Sequence, residues 1–439
     1  MLGIVAVLLD PFLLIGLFLG SLYFYLTATF DFWECRGVPF KKPTVLVGNF
    51  GPLLLFRKSL PEGVKEMYQW FEDERFFGAF RVRSPVLIVR DPDLVRSIFV
   101  KDFPCFLNRG IPVNNDQDPL SGHLFNLEGR KWKGLRSKLT PAFSSGKLKR
   151  MFYLLVECSE ELRRLIGEAS RNDDRTVEVR ELAAKFIIDV IGSCAFGIQI
   201  NALTDNKSEF HRAAKMLSKP SYKTSLWRML RTAMPRLYKL LDVQLVDPSV
   251  TRFFMDVVSQ MINQRENNGR TTRHDFMDLL IELRNKGTLE NEAGSPTICS
   301  DEDAQAARET ELDENSIAAQ AFVFFAAGYE TSSSTIAFCL YELALNQEIQ
   351  DRTRREVRDA IQARGGKLTY DAVQDMKYLD MVILGMRFAL LQIKMGIISF
   401  LRDHRVEKCD KSTVPIKFSR RSLVTTSEAG FWLAITSFS

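Results

Sequence analysis

Apolar and polar positions follow a helical period along most of the chain, and this period predicts helices. The amphipathic stretches lie at about 129–170, 178–195, 206–219 and 248–286. The polar, acidic segment 286–313 contains Pro296 and predicts a loop. The sequence therefore predicts a mainly α fold with a minor β-sheet.

Strand-forming residues concentrate in segment 77–100. Ser84-Pro85 indicates a turn, and Asp91-Pro92 indicates the start of a following helix. The segment is rich in β-branched residues, namely Val82, Val86, Ile88 and Val89. A hairpin followed by a helix is the predicted arrangement.

The N-terminal region contains one long uncharged stretch, residues 11–30. As a helix it would extend about 30 Å, enough to cross the apolar core of a bilayer. Basic residues follow it, which favours a body in the cytosol. We interpret residues 1–30 as a single membrane anchor, 31–50 as a Pro/Gly hinge and 51–439 as one body. The alternative for 11–30 is a buried core helix.

Composition and charge exclude several classes of protein. Of 439 residues, 46% are apolar and 26% are charged, which is typical of a globular chain and excludes wholesale disorder. The net charge of +5 is too small to indicate nucleic-acid binding. Seven scattered cysteines without a C-x-x-C pair disfavour a disulfide framework or a zinc site.

One predicted helix carries unusual polar residues in an apolar setting. It begins after Asp313, a favourable N-cap residue, and extends to Leu345. Gly328, Glu330 and Thr331 lie in its middle, although glycine disfavours helix and buried glutamate is rare. These residues suggest the approach of a flat group and the handling of protons. The alternative is a core helix with small residues for close packing.

The segment from Ala327 to Ser332, AGYETS, resembles the long-helix motif of the cytochrome P-450 monooxygenases. The resemblance implies that heme lies against Ala327 and Gly328. It also implies that Glu330 and Thr331, with water, deliver protons to dioxygen bound at the heme iron.

Two further segments resemble the same family. Trp132-x-x-x-Arg136 is similar to its W-x-x-x-R motif, and residues four apart share one helix face. The resemblance implies that both side chains donate to a heme propionate. Arg109, in DFPCFLNRG, is a further predicted propionate partner.

The sequences of these motifs are most similar to those of the insect microsomal branch of the family. That resemblance implies a protein of the endoplasmic reticulum membrane with a cytosolic body. It implies oxidation of small lipophilic compounds, xenobiotic or endogenous, with electrons from NADPH-cytochrome P-450 reductase. No nucleic-acid partner is expected.

The resemblance is interrupted between Ile383 and Leu384. The family continues there into an E-x-x-R helix, a meander and a loop whose cysteine thiolate binds the iron. In this chain Leu384-Gly385 resembles the residues after that cysteine, so Ile383 stands at the ligand position. Cys409 does not fit the loop pattern. The sequence thus predicts a fold that lacks these three elements and a chain with no metal ligand.

Two interpretations of this interruption remain. The chain is a monooxygenase by descent that has lost an internal block and its activity, because an isoleucine cannot replace the thiolate. Alternatively, it is a non-catalytic truncated isoform that binds the reductase, or the product of mis-splicing or of a faulty gene model.

Overall fold

The computed structural model describes residues 11–113, 117–205, 207–218, 222–267, 275–286, 312–383, 387–422 and 424–438. The chain divides into two compact units. Unit 1 comprises Met1–Pro112 and Ser221–Leu241, and unit 2 comprises Val113–Pro220 and Asp242–Ser439. The expectation of a single body over 51–439 stays a prediction.

Unit 1 combines short helices with one hairpin. Its helices are α1 (Pro11–Thr27), α2 (Gly51–Leu54), α3 (Leu60–Tyr68), α4 (Pro92–Arg96), α9 (Tyr222–Ala233) and α10 (Pro235–Leu240). Strands β1 (Phe76–Arg81) and β2 (Ser84–Val89) pair in antiparallel fashion.

The predicted hairpin is confirmed, but the position predicted for its turn is wrong. Arg81 pairs with Ser84, so the turn consists of Val82 and Arg83. Val82 takes a φ of 60°, the left-handed conformation that a two-residue hairpin turn requires. Pro85 is tolerated inside β2 because β2 is an edge strand of this two-stranded sheet.

Helix α1 presents its apolar side chains to the surroundings. Phe12 is 83% exposed and Phe24 is 72% exposed, while Leu26 is buried. Within the parts of the chain that the structure describes, no helix is both long and apolar enough to cross a membrane.

The segment after α1 is fixed to the hairpin of unit 1. Trp33 donates its indole N–H to the carbonyl of Ala79 at 3.0 Å, and Thr29 donates to the carbonyl of Arg83 at 2.5 Å. The Trp33 ring lies where a side chain at Gly78 would be, so glycine permits this close approach.

Unit 2 contains the long helices. They are α5 (Gly129–Leu139), α6 (Ser145–Arg171), α7 (Val179–Ile191), α8 (Glu209–Ser218), α11 (Pro248–Asn267), α12 (Phe276–Lys286), α13 (Glu314–Leu345), α14 (Gln347–Gln362), α15 (Tyr370–Asp375), α16 (Lys377–Val382) and α17 (Arg387–Leu401). A three-stranded antiparallel sheet has the order β3 (Thr176–Glu178), β5 (Trp432–Ser437), β4 (His404–Lys408). The prediction of a mainly α fold with a minor sheet is confirmed.

The predicted helix over 129–170 is two helices. It breaks at Thr140–Phe143, where Pro141 lacks the N–H that a continuous helix needs. The predicted 248–286 helix is likewise present as α11 and α12, with residues 268–274 outside the described ranges. The predicted helix after Asp313 is confirmed, and the Asp313 carboxylate accepts a hydrogen bond from the Ser316 N–H.

Helix α13 forms the centre of the unit 2 core. Its most extensive contact is with α7. Helix α17 packs against both α13 and α6. Residues 391–400 of α17 are all buried. The segment that follows the interruption at Ile383 is therefore part of the same hydrophobic core as α13.

A buried ion pair connects α17 to the helices that precede it. Lys394 has a side chain only 2% exposed, and its Nζ lies 2.7 Å from the Asp380 carboxylate on α16. The same ammonium donates to the carbonyl of Val373 on α15 at 3.0 Å. This lysine therefore links the two sides of the junction, although Leu384 and Gly385 themselves lie outside the described residues.

Stability should fall in mild acid because of His404, which is 5% exposed on β4. Burial lowers the pKa of His404 below its ordinary value of 6.5. At pH values between the pKa of folded His404 and 6.5, the unfolded chain binds more protons than the folded chain. The free energy of unfolding therefore decreases as pH drops below 6.5. Urea unfolding between about pH 7 and pH 5 should show this decrease, at most about 1.4 kcal/mol per pH unit for one proton. H404Q should reduce the slope, and an unchanged slope would contradict this assignment.

Candidate functional site

The middle of α13 opens to its surroundings on one narrow face. Ala327 and Thr331, four residues apart, are exposed, whereas Tyr329 and the serines at 332–334 are buried. Residues 317–322, one turn earlier in the helix, are buried as well. This open stripe leaves room for a flat apolar group against the backbone.

The hydroxyl and carboxyl groups of the predicted proton relay have separate partners. Thr331 donates its hydroxyl to the carbonyl of Ala327 at 2.7 Å. Glu330 is 14% exposed, and its carboxylate accepts a hydrogen bond from Ser422 at 3.2 Å. The same carboxylate lies 3.8 Å from the Arg180 guanidinium. Thr331 therefore belongs to the open stripe, while Glu330 belongs to a polar cluster beside it.

Arg180 and Ser422 are the residues that sequence reasoning missed. Arg180, on α7, is largely buried and also donates to the Ser334 hydroxyl at 3.3 Å. The helix also carries Glu181, Lys185 and Asp189, so nothing in the sequence set Arg180 apart. Ser422 carried no signal in the sequence, since its position beside Glu330 depends on the path of the C-terminal segment.

Gly328 faces the neighbouring helix. A Cβ atom at this position would lie 3.1 Å from Cδ1 of Ile191 on α7. Glycine thus allows α13 and α7 to pack closely. This agrees with the alternative interpretation of α13 as a core helix with small residues for close packing. Ala327 and Thr331 supply the open surface.

Two of the three predicted propionate donors, Trp132 and Arg136, lie on one short basic helix. Trp132 is half-buried and Arg136 is exposed, and their spacing places them on one face of α5. Helix α5 also carries Arg130, Lys131, Lys133 and Lys138, so its surroundings favour an anion.

The loop before α5 is held on α13 by Gln320, which is completely buried. The Gln320 amide accepts a hydrogen bond from the Leu124 N–H at 2.8 Å and donates to the Gly122 carbonyl at 3.4 Å. Within unit 2 this clamp connects the helix with the open stripe to the chain leading into the basic helix.

Arg109 is an exposed residue of unit 1, in a segment without regular structure. The site is described from unit 2 alone, so a role for Arg109 on a propionate stays a prediction.

The predicted ligand position offers no donor atom. Ile383 follows α16 directly and is 3% exposed, packed into the unit 2 core. Its alkyl side chain cannot coordinate a metal. No cluster of three or more His, Cys, Asp or Glu side chains occurs in the portion of the chain covered by the structure.

Three of the four cysteines that the structure describes in unit 2 are thiols whose burial disfavours ionisation. Burial raises the pKa of Cys158 and of Cys339 to about 12, and it raises the pKa of Cys194 well above its usual value. A raised pKa disfavours the ionised thiolate form of these side chains. Cys409 is half-buried and contacts the Ser412 hydroxyl at 3.5 Å.

These features fit heme only in part. The open stripe and the basic helix offer a flat surface and anion donors for a porphyrin and its propionates. The position predicted for the axial ligand is a buried isoleucine, Ile383. Ile383 cannot be the axial ligand, and no chemical step follows from the described residues.

Comparison with known proteins agrees with the motifs. The family described as cytochrome P-450 matches residues 39–383. Cytochrome P-450 6B2 of Helicoverpa armigera is 36% identical over 371 residues, which cover 84% of this chain and 70% of that protein. Cytochrome P-450 6a8 of Drosophila melanogaster is 37% identical over 367 residues, covering 83% of this chain and 70% of that protein.

A third relative aligns on both sides of residue 383. Cytochrome P-450 6a2 of Drosophila melanogaster is 31% identical over 514 positions, covering 95% of this chain and 97% of that protein. The family match over most of the chain, together with relatives above 30% identity, establishes the assignment. The chain belongs to the cytochrome P-450 family of heme-dependent monooxygenases, which are oxidoreductases.

Proposed function

We propose that this chain is a cytochrome P-450 that lacks an internal block between Ile383 and Leu384 and does not oxygenate substrates as written. The observation that carries the proposal is Ile383, a buried alkyl side chain at the position of the axial ligand. Without a thiolate, the electron donation that favours O–O cleavage is lost.

The comparisons support an internal rather than a terminal loss. The family match stops at residue 383, where the motifs predict the junction. The alignment with cytochrome P-450 6a2 has 514 positions although this chain has 439 residues. At least 75 of those positions therefore hold no residue of this chain.

With the block in place, the proposed activity is oxidation of small lipophilic compounds with dioxygen and electrons from NADPH-cytochrome P-450 reductase. In the restored enzyme the proposed roles are proton delivery for Glu330 and Thr331, contact with heme for Ala327 and Gly328, and propionate binding for Trp132, Arg136 and Arg109. The open face at Ala327 and Thr331 supports the placement of heme.

A second candidate function is that of a non-catalytic isoform that binds the reductase. The burial of α17 within the core favours it, because the shortened chain then keeps a common hydrophobic interior. Segment 384–439 carries nine Lys and Arg against four Asp and Glu, and its positive charge apart from the buried Lys394 suits an acidic partner.

The transcript across codons 383 and 384 distinguishes these proposals. A transcript that contains the missing block supports the enzyme and makes the shortened chain a product of mis-splicing or of a faulty gene model. A spliced transcript without the block, together with the corresponding short protein in microsomes, supports the isoform.

We also propose that α1 holds the protein on the endoplasmic reticulum from the cytosolic side. Its exposed Phe12 and Phe24, in an uncharged segment, support burial in lipid. Deleting residues 1–30 should move the chain from the carbonate-resistant microsomal pellet to the supernatant. Extraction of the full-length chain into the supernatant would contradict the anchor.

A further inference from the structure

A segment near the C-terminal end of unit 2 follows one face of α13. We define it as the strap, residues 413–422, all of which the structure describes and none of which belongs to a helix or to a strand of the two sheets. The Thr413 carbonyl accepts a hydrogen bond from the Tyr341 hydroxyl at 3.1 Å. Farther along the strap, the centre of the Phe418 ring lies 6.3 Å from the centre of the Phe338 ring. These two contacts fix the first part of the strap to the C-terminal half of α13.

The strap ends beside the open stripe of α13. Ser422 donates its hydroxyl to the Glu330 carboxylate at 3.2 Å, and Glu330 directly precedes Thr331 of the stripe. Phe338 and Glu330 are eight residues apart in the helix, which is about 12 Å along its axis. The strap therefore runs opposite to the direction of α13, and its last residue reaches the edge of the stripe.

Backbone hydrogen bonds hold the middle of the strap to the chain that returns from it. The Ser419 N–H donates to the Thr426 carbonyl at 2.8 Å, and the Glu428 N–H donates to the Lys417 carbonyl at 2.8 Å. The strap residues beyond these bonds, 420–422, include two exposed arginines. The hydrogen bond to Glu330 lies outside the backbone-paired part and holds the end of the strap on α13.

Glu330 is held in turn by a neighbouring helix. Arg180 on α7 is largely buried, and its guanidinium lies 3.8 Å from the Glu330 carboxylate. This cation favours the ionised carboxylate, which is the stronger acceptor for the Ser422 hydroxyl. A hydrogen bond to an ionised group shifts an equilibrium between a bonded and a released state by roughly tenfold or more.

We propose that the strap is a gate on the open stripe and that the hydrogen bond from Ser422 to Glu330 is its latch. With the latch closed, the end of the strap lies one helical turn from Ala327, where a flat apolar group would enter. With the latch open, residues 420–422 move away while the contacts at Thr413 and Phe418 remain. The class of ligand, a planar porphyrin, rests on the proposed placement of heme at this stripe.

Limited proteolysis tests the latch in the full-length chain in neutral detergent. Trypsin cleaves after arginine, and the exposed Arg420 and Arg421 directly precede the latch residue. We expect S422A to raise the rate of cleavage at these two arginines about tenfold, because cleavage follows the population of the open form. Mass spectrometry of the fragments identifies the cleaved bonds. Equal rates in S422A and in the parent chain would overturn the latch.

Two variants serve as controls for the proteolysis. S422T keeps a hydroxyl at the latch and should be cleaved at the rate of the parent chain. S419A alters a serine in the backbone-paired part of the strap and should also leave the rate unchanged. Peptides of residues 416–428, with serine or alanine at position 422, correct for any effect of the substitution on trypsin itself. Faster cleavage in S419A to the same degree as in S422A would overturn the special role of Ser422.

Hemin then tests whether the latch controls access to the stripe. We expect hemin to associate about tenfold faster with S422A than with S419A, because the rate follows the fraction of chains with an open strap. Absorbance follows the association. Faster proteolysis of S422A with unchanged hemin association would overturn the gate. No hemin binding in any variant would contradict the proposed placement of heme and the gate together, whereas faster proteolysis of S422A would still support the latch.

Discussion

The purified chain should give no thiolate-type absorption band when heme is added and reduced under carbon monoxide. It should also show no turnover above background with reductase and NADPH. Ile383 is buried and cannot donate, and burial raises the pKa of the Cys158, Cys194 and Cys339 thiols. Any heme retained near α13 would then lack the electron donation that splits dioxygen. A clear thiolate spectrum from this chain would overturn the proposed function.

Two variants separate the missing ligand from the missing block. I383C places a thiol at the ligand position without the loop that should precede it, and we expect it to remain inactive. Insertion of the corresponding block from a relative such as cytochrome P-450 6B2 should restore both the absorption band and turnover. Recovery of turnover by I383C alone would show that the lost segment is dispensable.

The restored protein then tests Thr331. T331A removes an exposed hydroxyl whose bond to the Ala327 carbonyl is local to the helix, so its cost to folding should be small. We expect oxygen and NADPH consumption to continue while product formation falls. Product formation that stays coupled to NADPH consumption would remove Thr331 from the proposed proton delivery.

Asp380→Ala should cost about 3–5 kcal/mol of unfolding free energy, much more than Lys394→Met. Removal of Asp380 leaves the Lys394 ammonium, 2% exposed, without its counter-ion. Lys394→Met removes the buried charge itself and leaves Asp380, which is 34% exposed, partly hydrated. The unpaired Val373 carbonyl then accounts for a cost of about 1–2 kcal/mol. Urea unfolding at neutral pH measures both values.

A double-mutant cycle and a surface pair provide the controls. D380A/K394M should be more stable than D380A, because the uncompensated charge is gone. The exposed pair of Lys149 and Asp371, 3.0 Å apart with both side chains more than half exposed, is the matched comparison. D371A should cost about 1 kcal/mol or less, since solvent screens exposed pairs. Similar costs for D371A and D380A would remove the special role of the buried pair.

Local sequence patterns were sufficient to predict most helices and to identify the family. Asp313 predicts the start of α13 because an aspartate side chain can cap free N–H groups at a helix terminus. Pro141 also indicates a helix break, but the amphipathic period continues past it and favoured one long helix. The turn at Val82 was not predictable, since a β-branched residue rarely adopts positive φ and only strand pairing fixes it there.

What the sequence determined by itself is the family, because AGYETS and W-x-x-x-R are local patterns. The absence of the cysteine loop and of its ligand stays a prediction. The tertiary structure decided what each motif residue faces. Glu330 contacts Ser422 and Arg180. Gly328 packs against Ile191. Ala327 and Thr331 are exposed. These contacts join residues that are far apart in the chain. The hydrophobic period shows which face of a helix is apolar, but it does not show which residues pack against that face.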